Sequence, residues 1–454
     1  MDSVLVSILS FIVALGVLIA IHEYGHFWVA RKVGVKVLRF SIGFGKPIWQ
    51  RNFGDDKTEF VLAAIPLGGY VKMLDERVEP VEEHELDRAF NRKTLGQRMA
   101  VVVAGPLANF LFAILAYWLL FVIGIQGIKP IVDDVQQNSP FAIAGLMSGD
   151  EILSVAGEET PTLESVRMQM IDEILSQSLV EIKVQSSAGS ERTIQLDLSE
   201  TPVDAISGNL LQYLGITPFR PKLAPIIGAV SPGGAAEAAG ILAGDEIIEV
   251  DGQLMDDWVA WANYVRERPE KDVNITLIRD GLTMNLDVVP AKIEMQNGVI
   301  GRVGLSPFVP EDFYKDMLAV QHYGFIESIG ASIKKTYDMS LLTLKMFGKM
   351  ITGQASLENI SGPISIAQYA GQSAQIGLLS FISFMAIISV SLGVLNLLPV
   401  PLLDGGHLMY YIVEFFKGSP ISDEMQMLGQ KIGIVLLGGL MFLAIFNDIS
   451  RVFS

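Results

Sequence analysis

The chain places a candidate metal-binding motif at the end of an uncharged apolar run. Residues 4–21 contain no charged side chain, and they lead directly into the sequence HEYGH at residues 22–26. On a helix, His22 and His26 lie four residues apart on one face, a spacing that lets two imidazoles bind one Zn²⁺. Glu23 then lies where its carboxylate can activate a bound water. Charged groups near a bilayer interior are costly, so this placement predicts a functional site, either a metal centre or a polar relay without metal.

The composition indicates a membrane protein that also carries soluble domains. Hydrophobic residues make up 50% of the 454 positions, more than an ordinary soluble protein contains. Apolar runs predict four spans, at about residues 4–28, 99–125, 378–400 and 432–446. The first run ends in the HEYGH motif rather than in a small-residue cleavage site, so we expect a retained span and not a signal peptide.

Charge patterning predicts the orientation and excludes some partners. Basic residues cluster between the first two spans: Arg31, Lys32, Lys36, Arg39, Lys46, Arg51, Arg92, Lys93 and Arg98. The positive-inside rule therefore places this loop in the cytoplasm, with both termini and the segment after the second span outside. The formal net charge of −17, with an excess of acids in residues 127–312, argues against a nucleic-acid partner. The chain has no cysteine, which excludes disulfides and thiolate chemistry.

The loop between the first two spans, residues 33–98, has β character. Residues 37–44 and 59–73 are rich in β-branched and aromatic side chains and are punctuated by glycine, which predicts hairpins or bulges. Composition favours a small cytoplasmic subdomain with its own core. The alternative is a sheet that dips into the membrane, which requires a paired or protein-covered backbone.

The exterior segment contains an internal repeat. AGLMSGDEILSVAG at residues 144–157 recurs as AGILAGDEIIEVDG at residues 239–252, with glycines and the Gly-Asp pair at a constant offset. The pattern of a short helix, a tight Gly-Asp turn and a strand resembles the PDZ domain in two tandem copies. Such domains add an extended peptide to a sheet edge, and the alternative is a spacer or lid that blocks access. The first copy has Phe141 where the PDZ pattern has alanine.

A helical periodicity follows the repeats, in the segment from 313 to 372. Apolar residues from Ile326 to Leu344 can share one face, and lysines are available elsewhere. Two interpretations remain open, a helix on the outer membrane surface and a soluble helix packed on the second PDZ copy.

A third metal ligand is expected near the third span. A catalytic zinc has three protein ligands and one open position. Residues 396–407 read NLLPVPLLDGGH, in which Asp404 is the acid at the end of the apolar run and supplies a hard oxygen ligand. Pro399 and Pro401 break the helix there. His407 is the alternative ligand.

The H-E-x-x-H and N-x-x-P-x-P-x-L-D-G motifs, with a tandem PDZ insertion between them, resemble the site-2 protease family. The resemblance covers essentially the whole chain, including GPLAN at residues 105–109 and SGPISIA at residues 361–367. It implies His22, His26 and Asp404 as zinc ligands and Glu23 as general base.

The resemblance also implies how a substrate is held. The region 37–73 would form a membrane-re-entrant β element that holds an unwound substrate segment as an added strand, with Gly43 and Gly45 at its turn. Asn396 would contact the substrate backbone, and Pro399 of the same motif is a further candidate substrate-binding residue. The re-entrant interpretation is thus favoured over the subdomain that composition alone suggests.

The implied function is that of an intramembrane zinc metalloendopeptidase of the bacterial inner membrane. Its substrates would be single-span proteins whose periplasmic domains have been trimmed, a transmembrane anti-sigma factor first and signal-peptide remnants second. The PDZ pair would act as a periplasmic size filter, and the active site would lie in the lipid bilayer near its cytoplasmic side. Two other functions remain, a PDZ scaffold or chaperone and an ion transporter, although the four spans show no matched broken-helix repeat.

The predicted fold class is a multi-domain α+β membrane protein. It has a core of four transmembrane helices, a membrane-associated β element and two tandem exterior PDZ domains. The predicted divisions are residues 1–125 for the first two spans with the β region 33–98, 126–221 and 222–310 for the PDZ copies, 311–375 for a linker with the surface helix, and 376–454 for the last two spans.

Overall fold

The computed structural model describes residues 2–176, 179–207, 209–219, 221–295, 298–310, 312–313 and 315–453. Its helices are α1 (Asp2–Lys32), α2 (Leu95–Ile123), α3 (Pro140–Ala144), α4 (Leu163–Ser176), α5 (Leu210–Tyr213), α6 (Ala235–Ala238), α7 (Trp258–Arg266), α8 (Glu327–Ile351), α9 (Pro363–Ile376), α10 (Leu378–Leu397), α11 (Asp404–Lys417) and α12 (Asp423–Phe453). Its strands are β1 (Val37–Phe53), β2 (Thr58–Met73), β3 (Ile125–Ile128), β4 (Val132–Val135), β5 (Glu151–Val155), β6 (Glu158–Glu159), β7 (Leu179–Gln185), β8 (Glu191–Asp197), β9 (Ile216–Pro218), β10 (Ile227–Val230), β11 (Glu246–Val250), β12 (Gln253–Leu254), β13 (Val273–Arg279), β14 (Leu282–Val288), β15 (Ala291–Met295), β16 (Gly298–Arg302), β17 (Leu305–Pro307) and β18 (Leu318–Gln321).

Four helices of the described residues are long and apolar enough to cross a membrane. They are Val4–Lys32, Leu95–Ile123, Leu378–Leu397 and Glu424–Arg451. Even the 20 residues of α10 rise about 30 Å along the helix axis, which is the hydrocarbon thickness of a bilayer. The fourth helix is longer than its apolar run predicts, because polar residues continue it at both ends.

Helix α2 lies against α1, α10 and α11 and joins them into one bundle. Its small residues Ala113 and Ala116 are buried against Ala386 and Val390 of α10. Small side chains let membrane helices approach closely. The other face of α2 presents exposed leucines, as a lipid-facing surface does: Leu107, Leu111 and Leu115.

Strands β1 and β2 each bend once, so the pair forms a sheet of four segments. Phe40 lies opposite Val71 on one side and Phe60 on the other, which puts the first half of β1 between the two halves of β2. Residues 69–73 of β2 consequently form an edge of the sheet. The bend in β1 lies at Gly43, whose φ of +91° favours glycine.

The sheet is built onto the helix bundle rather than around a core of its own. Phe27 and Ala30 of α1 and Val101 of α2 are buried together with Val37 and Phe40 of β1. The far part of the sheet exposes large apolar side chains: Phe44, Ile48, Trp49, Phe53, Leu62 and Ile65. A self-contained subdomain, which composition favours, would hide these side chains from solvent.

The two repeats fold alike. The first repeat unit (β4–β9 with α3–α5) has a sheet of order β6-β5-β7-β8, and the second (β10–β17 with α6 and α7) has β12-β11-β13-β14. The Gly-Asp pair of each unit has the same partner, because buried Asp150 binds Arg192 and buried Asp245 binds Arg279. Phe141, the departure from the PDZ pattern, is fully buried in the core of the first unit.

Helix α8 joins the repeats to the bundle. Its small polar residues Ser328, Ser332 and Thr336 are buried, and α8 lies against α2 and α10. Leu342 and Met346, farther along α8, pack on the core of the first repeat unit. The interpretation of this segment as a soluble helix predicted packing on the second repeat unit instead. Large apolar side chains remain exposed on α8: Ile329, Ile333, Tyr337, Leu341 and Leu344.

Candidate active site

Two consecutive turns of α1 bring His22 and His26 to the start of α11, where Asp404 is the first helical residue. His22 Nε2 lies 3.2 Å from Asp404 Oδ2, and His26 Nε2 lies 3.4 Å from the same oxygen. The two Nε2 atoms are 3.2 Å apart. Within the described ranges, these three residues form the group whose ligand atoms are close enough together to hold a metal ion.

The triangle of atoms fits zinc in size and chemistry. Ligand atoms that are each about 2.0–2.1 Å from a tetrahedral ion lie about 3.3 Å from one another. Asp404 Oδ2 is buried and has no hydrogen-bond partner among the described residues. A buried carboxylate oxygen without a partner is unfavourable, and a cation between it and the two imidazoles removes that cost. Two imidazoles and one carboxylate also form a ligand set typical of catalytic zinc.

Asp404 lies directly after a short non-helical segment that separates α10 from α11. After α10 the chain unwinds through Pro399 and Pro401, which cannot continue a helix. Only glycine fits at position 405, because a Cβ there would collide with the carbonyl groups at the end of α10. Leu402 has a φ of +86°, a conformation that leucine rarely adopts. The break therefore fixes the start of α11 against α1.

Helix α2 contacts the Nδ1 atoms of both histidines. His26 Nδ1 lies 2.8 Å from the carbonyl oxygen of Val101, which leaves Nε2 free to bind a metal. His22 Nδ1 lies 3.2 Å from the side-chain amide of Asn109. Between them, a Cβ at Gly105 would lie 2.5 Å from His26 Cε1 and 2.8 Å from His22 Cε1. The GPLAN segment carries part of the family resemblance, and the four-residue spacing from 101 to 109 is the sequence signal for its contact with the histidines.

A cavity of about 890 Å³ opens from the metal cluster. Its lining includes Glu23, Asn396, His407, residues 69–73 of the sheet edge, and the charged residues Arg98 and Glu414. The last two form a partly buried ion pair at 2.6 and 3.2 Å where α2 meets α11. Polar groups therefore continue from the cluster toward the basic end of the bundle.

The structure separates the predicted substrate-binding residues into two groups. Asn396 lines the cavity, as does His407, whose place as a candidate third ligand is taken by Asp404 in the cluster. Gly43 and Gly45 lie at the bend of β1 near Ile65. These two glycines and the exposed Pro399 are not part of the cavity lining.

Comparisons with known proteins agree with the chemistry of this site. A model of the family described as peptidase family M50 matches residues 10–440. The regulator of sigma-E protease RseP of Escherichia coli is 46% identical over 455 residues, which cover 99% of this chain and 100% of that protein. A putative zinc metalloprotease of Vibrio cholerae is 41% identical, with 99% and 100% covered. The solved PDZ domain of an SdrC-like protein from Listeria monocytogenes, 18% identical, matches 24% of this chain and 100% of its own with a TM-score of 0.17, too low to support a statement about the fold.

Proposed function

The chain belongs to peptidase family M50 and is a zinc metalloprotease, and we propose that it hydrolyses peptide bonds of single-span membrane proteins inside the bilayer. The observation that carries the proposal is the compact cluster of His22, His26 and Asp404 within a bundle of membrane-length helices. Membership of a protease family sets aside the scaffold and transporter alternatives.

In this proposal His22, His26 and Asp404 hold the zinc and Glu23 moves the proton. When bound, zinc lowers the pKa of a water to about 7 and polarises a carbonyl oxygen. Glu23 is 9% exposed as a residue and lines the cavity beside the cluster. It takes the proton of the attacking water and passes it to the nitrogen of the leaving amine.

The sheet edge at residues 69–73 is the proposed substrate-binding strand. A transmembrane helix hides its carbonyl groups in hydrogen bonds, so it must unwind before hydrolysis, and pairing with a sheet edge stabilises the extended form. This edge abuts the general base, because a Cβ at Gly69 would lie 2.8 Å from Glu23 Cγ. Asn396 lines the same cavity and offers an amide to the substrate backbone. Gly43 and Gly45 then act indirectly, by permitting the bend that creates the edge.

The proposed orientation places the charged end of the bundle in the cytoplasm. The apolar helices fit the bacterial inner membrane, and the basic loop between α1 and α2 follows the positive-inside rule. Water then reaches the site past the partly buried Arg98–Glu414 pair. Both termini and the two repeat units are periplasmic in this arrangement.

The repeat units are proposed to be tandem PDZ domains that restrict access by size. Helix α8 ties the first unit to α2 and α10, which keeps bulk near the periplasmic mouth of the bundle. Since the Escherichia coli relative is named as a regulator of sigma-E, a transmembrane anti-sigma factor with a trimmed periplasmic domain is the proposed substrate. Signal-peptide remnants, which also lack a bulky exterior domain, are the second class.

The test is cleavage of a model single-span substrate by the purified full chain and by Glu23→Gln. We expect Glu23→Gln to bind zinc as the wild type does and to cleave about 10²–10⁴-fold more slowly, because it lacks the proton acceptor. Glu82→Gln makes the same chemical change on an exposed side chain and should cleave normally.

The same assay compares one membrane segment with and without a folded exterior domain. Selective cleavage of the trimmed form supports the size filter, and equal cleavage of both contradicts it. Normal cleavage by Glu23→Gln would contradict the assignment of the general base.

A further inference from the structure

We propose that Asn109 is a positioning residue for the metal site, which accepts a hydrogen bond from His22 Nδ1 and thereby turns Nε2 toward the zinc. The inference rests on the proposed role of His22, His26 and Asp404 as ligands. It assigns a function to the GPLAN segment of α2, whose residues do not bind the metal themselves.

Asn109 is held rigidly beside His22. The residue is fully buried on α2, and its side-chain amide nitrogen lies 3.2 Å from His22 Nδ1. Its backbone carbonyl accepts a hydrogen bond of 2.9 Å from Ser389 Oγ of α10, and Ser389 is itself fully buried. The other amide atom, Asn109 Oδ1, is buried without a hydrogen-bond partner in the described part of the chain.

The chemistry of a zinc-bound histidine requires an acceptor at this position. A neutral imidazole that binds metal through Nε2 carries its proton on Nδ1, and a buried N–H needs a hydrogen-bond acceptor. His26 has one, the carbonyl oxygen of Val101. The polar group in contact with Nδ1 of His22 is the Asn109 amide.

The amide of Asn109 can meet this requirement through its oxygen. Half a turn about the terminal side-chain bond exchanges oxygen and nitrogen with almost no change in shape. In that orientation Oδ1 accepts a hydrogen bond from His22 Nδ1, and the amide nitrogen takes the buried position that Oδ1 leaves. The opposite arrangement, in which the amide donates to Nδ1, puts the proton on Nε2 and prevents that nitrogen from binding zinc.

The spacing along α2 supports a dedicated role. Val101, Gly105 and Asn109 are four residues apart and follow one face of the helix over successive turns. The outer two contact the two Nδ1 atoms, and the glycine between them leaves room for both rings. One helix face thus fixes the orientation of both imidazoles.

The experiment measures Zn²⁺ affinity of the purified full chain by competition with a chromophoric chelator, and the visible absorption of the Co²⁺-loaded protein. Asn109→Leu keeps the size of the side chain and removes the acceptor, so its zinc dissociation constant should rise about 10–100-fold and its Co²⁺ bands should change. Asn109→Asp supplies a carboxylate acceptor, so it should bind zinc at least as tightly as the wild type.

Two further variants separate positioning from packing. Ser389→Ala removes a buried hydrogen bond to the backbone of Asn109 and should lower the melting temperature of the metal-free protein without weakening zinc binding. His22→Ala should lose tight zinc binding. Wild-type zinc affinity in His22→Ala would overturn the ligand assignment and this inference together.

Other outcomes overturn the inference alone. If His22→Ala loses zinc and Asn109→Leu binds it as the wild type does, Asn109 does not position the ligand. Equal losses in Asn109→Asp and Asn109→Leu would mean that the amide donates to His22 Nδ1 rather than accepts from it. Should Asn109→Leu fail to fold, the comparison of Asn109→Asp with the wild type decides, since a donor role predicts loss and an acceptor role does not.

Discussion

Replacing Gly105 by alanine should abolish the metal site while leaving the helix that carries it intact. The glycine lies in the middle of α2, where alanine is favoured over glycine by about 0.5–1 kcal/mol. The substitution by itself therefore stabilises the helical backbone. Any loss must come from the new methyl group and the two histidine rings that it meets.

The size of the effect follows from the distances. The added carbon would lie 2.5 Å from His26 Cε1 and 2.8 Å from His22 Cε1. Carbon atoms make contact at about 3.5 Å or more, so the His26 ring must retreat by about 1 Å. Zinc sites tolerate deviations of about 0.2 Å in ligand distance. A displacement of this size in an active site costs about 10²-fold in rate, and we expect at least that loss of cleavage.

The assay pairs zinc affinity with cleavage of a single-span substrate. Gly96→Ala is the matched control, because it makes the same substitution in the same helix where a Cβ meets nothing within 4 Å. Gly96→Ala should bind zinc and cleave as the wild type does. Wild-type affinity and cleavage in Gly105→Ala would refute the close packing of both histidines on α2.

Two further predictions concern buried carboxylates away from the metal. Burial raises the pKa of Asp245, but hydrogen bonds from Arg279 and a backbone amide outweigh it and hold the pKa below its usual range. Asp245→Asn should therefore destabilise the second repeat unit by about 2–3 kcal/mol at neutral pH, seen as faster hydrogen exchange in β11 and β13 but not in β5 and β7. Because the pKa of Asp245 is lower in the folded state, the carboxylate contributes its full stabilisation above about pH 3.9. That stabilisation is lost as the pH falls through the folded-state pKa. A stability difference between the wild type and Asp245→Asn that persists in strong acid would contradict the reasoning. Asp448 accepts backbone hydrogen bonds of 2.8–3.1 Å from the first turn of α9. Asp448→Ala should therefore lower the free energy of local unfolding of α9 by about 1–3 kcal/mol, measured as faster hydrogen exchange of its backbone amides. Unchanged hydrogen exchange in α9 would contradict this prediction.

The sequence was sufficient where local spacing decides the structure. Four-residue spacing on a helix places His22 and His26 on one face. Asp404 is the acid at the end of the third apolar run, and the sequence offered His407 as the alternative third ligand. The apolar runs located the spans, although polar flanks extend α12 beyond its run. The constant offset of the Gly-Asp pairs located the repeats, which share one sheet order.

The sequence was insufficient where distant segments fix each other. Nothing in the pattern of β1 and β2 shows that Phe40 has a partner on both sides, so the edge beside Glu23 could not be located. Gly43 and Gly45 lie at the bend of β1, as the resemblance implies, and their contact with substrate stays a prediction. Asn109 and His22 are 87 residues apart, and only the packing of α1 on α2 brings them together.

Charge balance connects the metal to the stability of this arrangement. Asp404 and Glu23 bring two carboxylates into a site surrounded by membrane-length helices, and their buried charge is costly unless it is paired. Arg98, which lines the same cavity, is paired with Glu414 instead. In the proposed site, a divalent cation held by His22, His26 and Asp404 would supply two positive charges and so compensate both carboxylates. Since the proposed ligands come from α1 and from the start of α11, the same ion would also link the two segments that form the site.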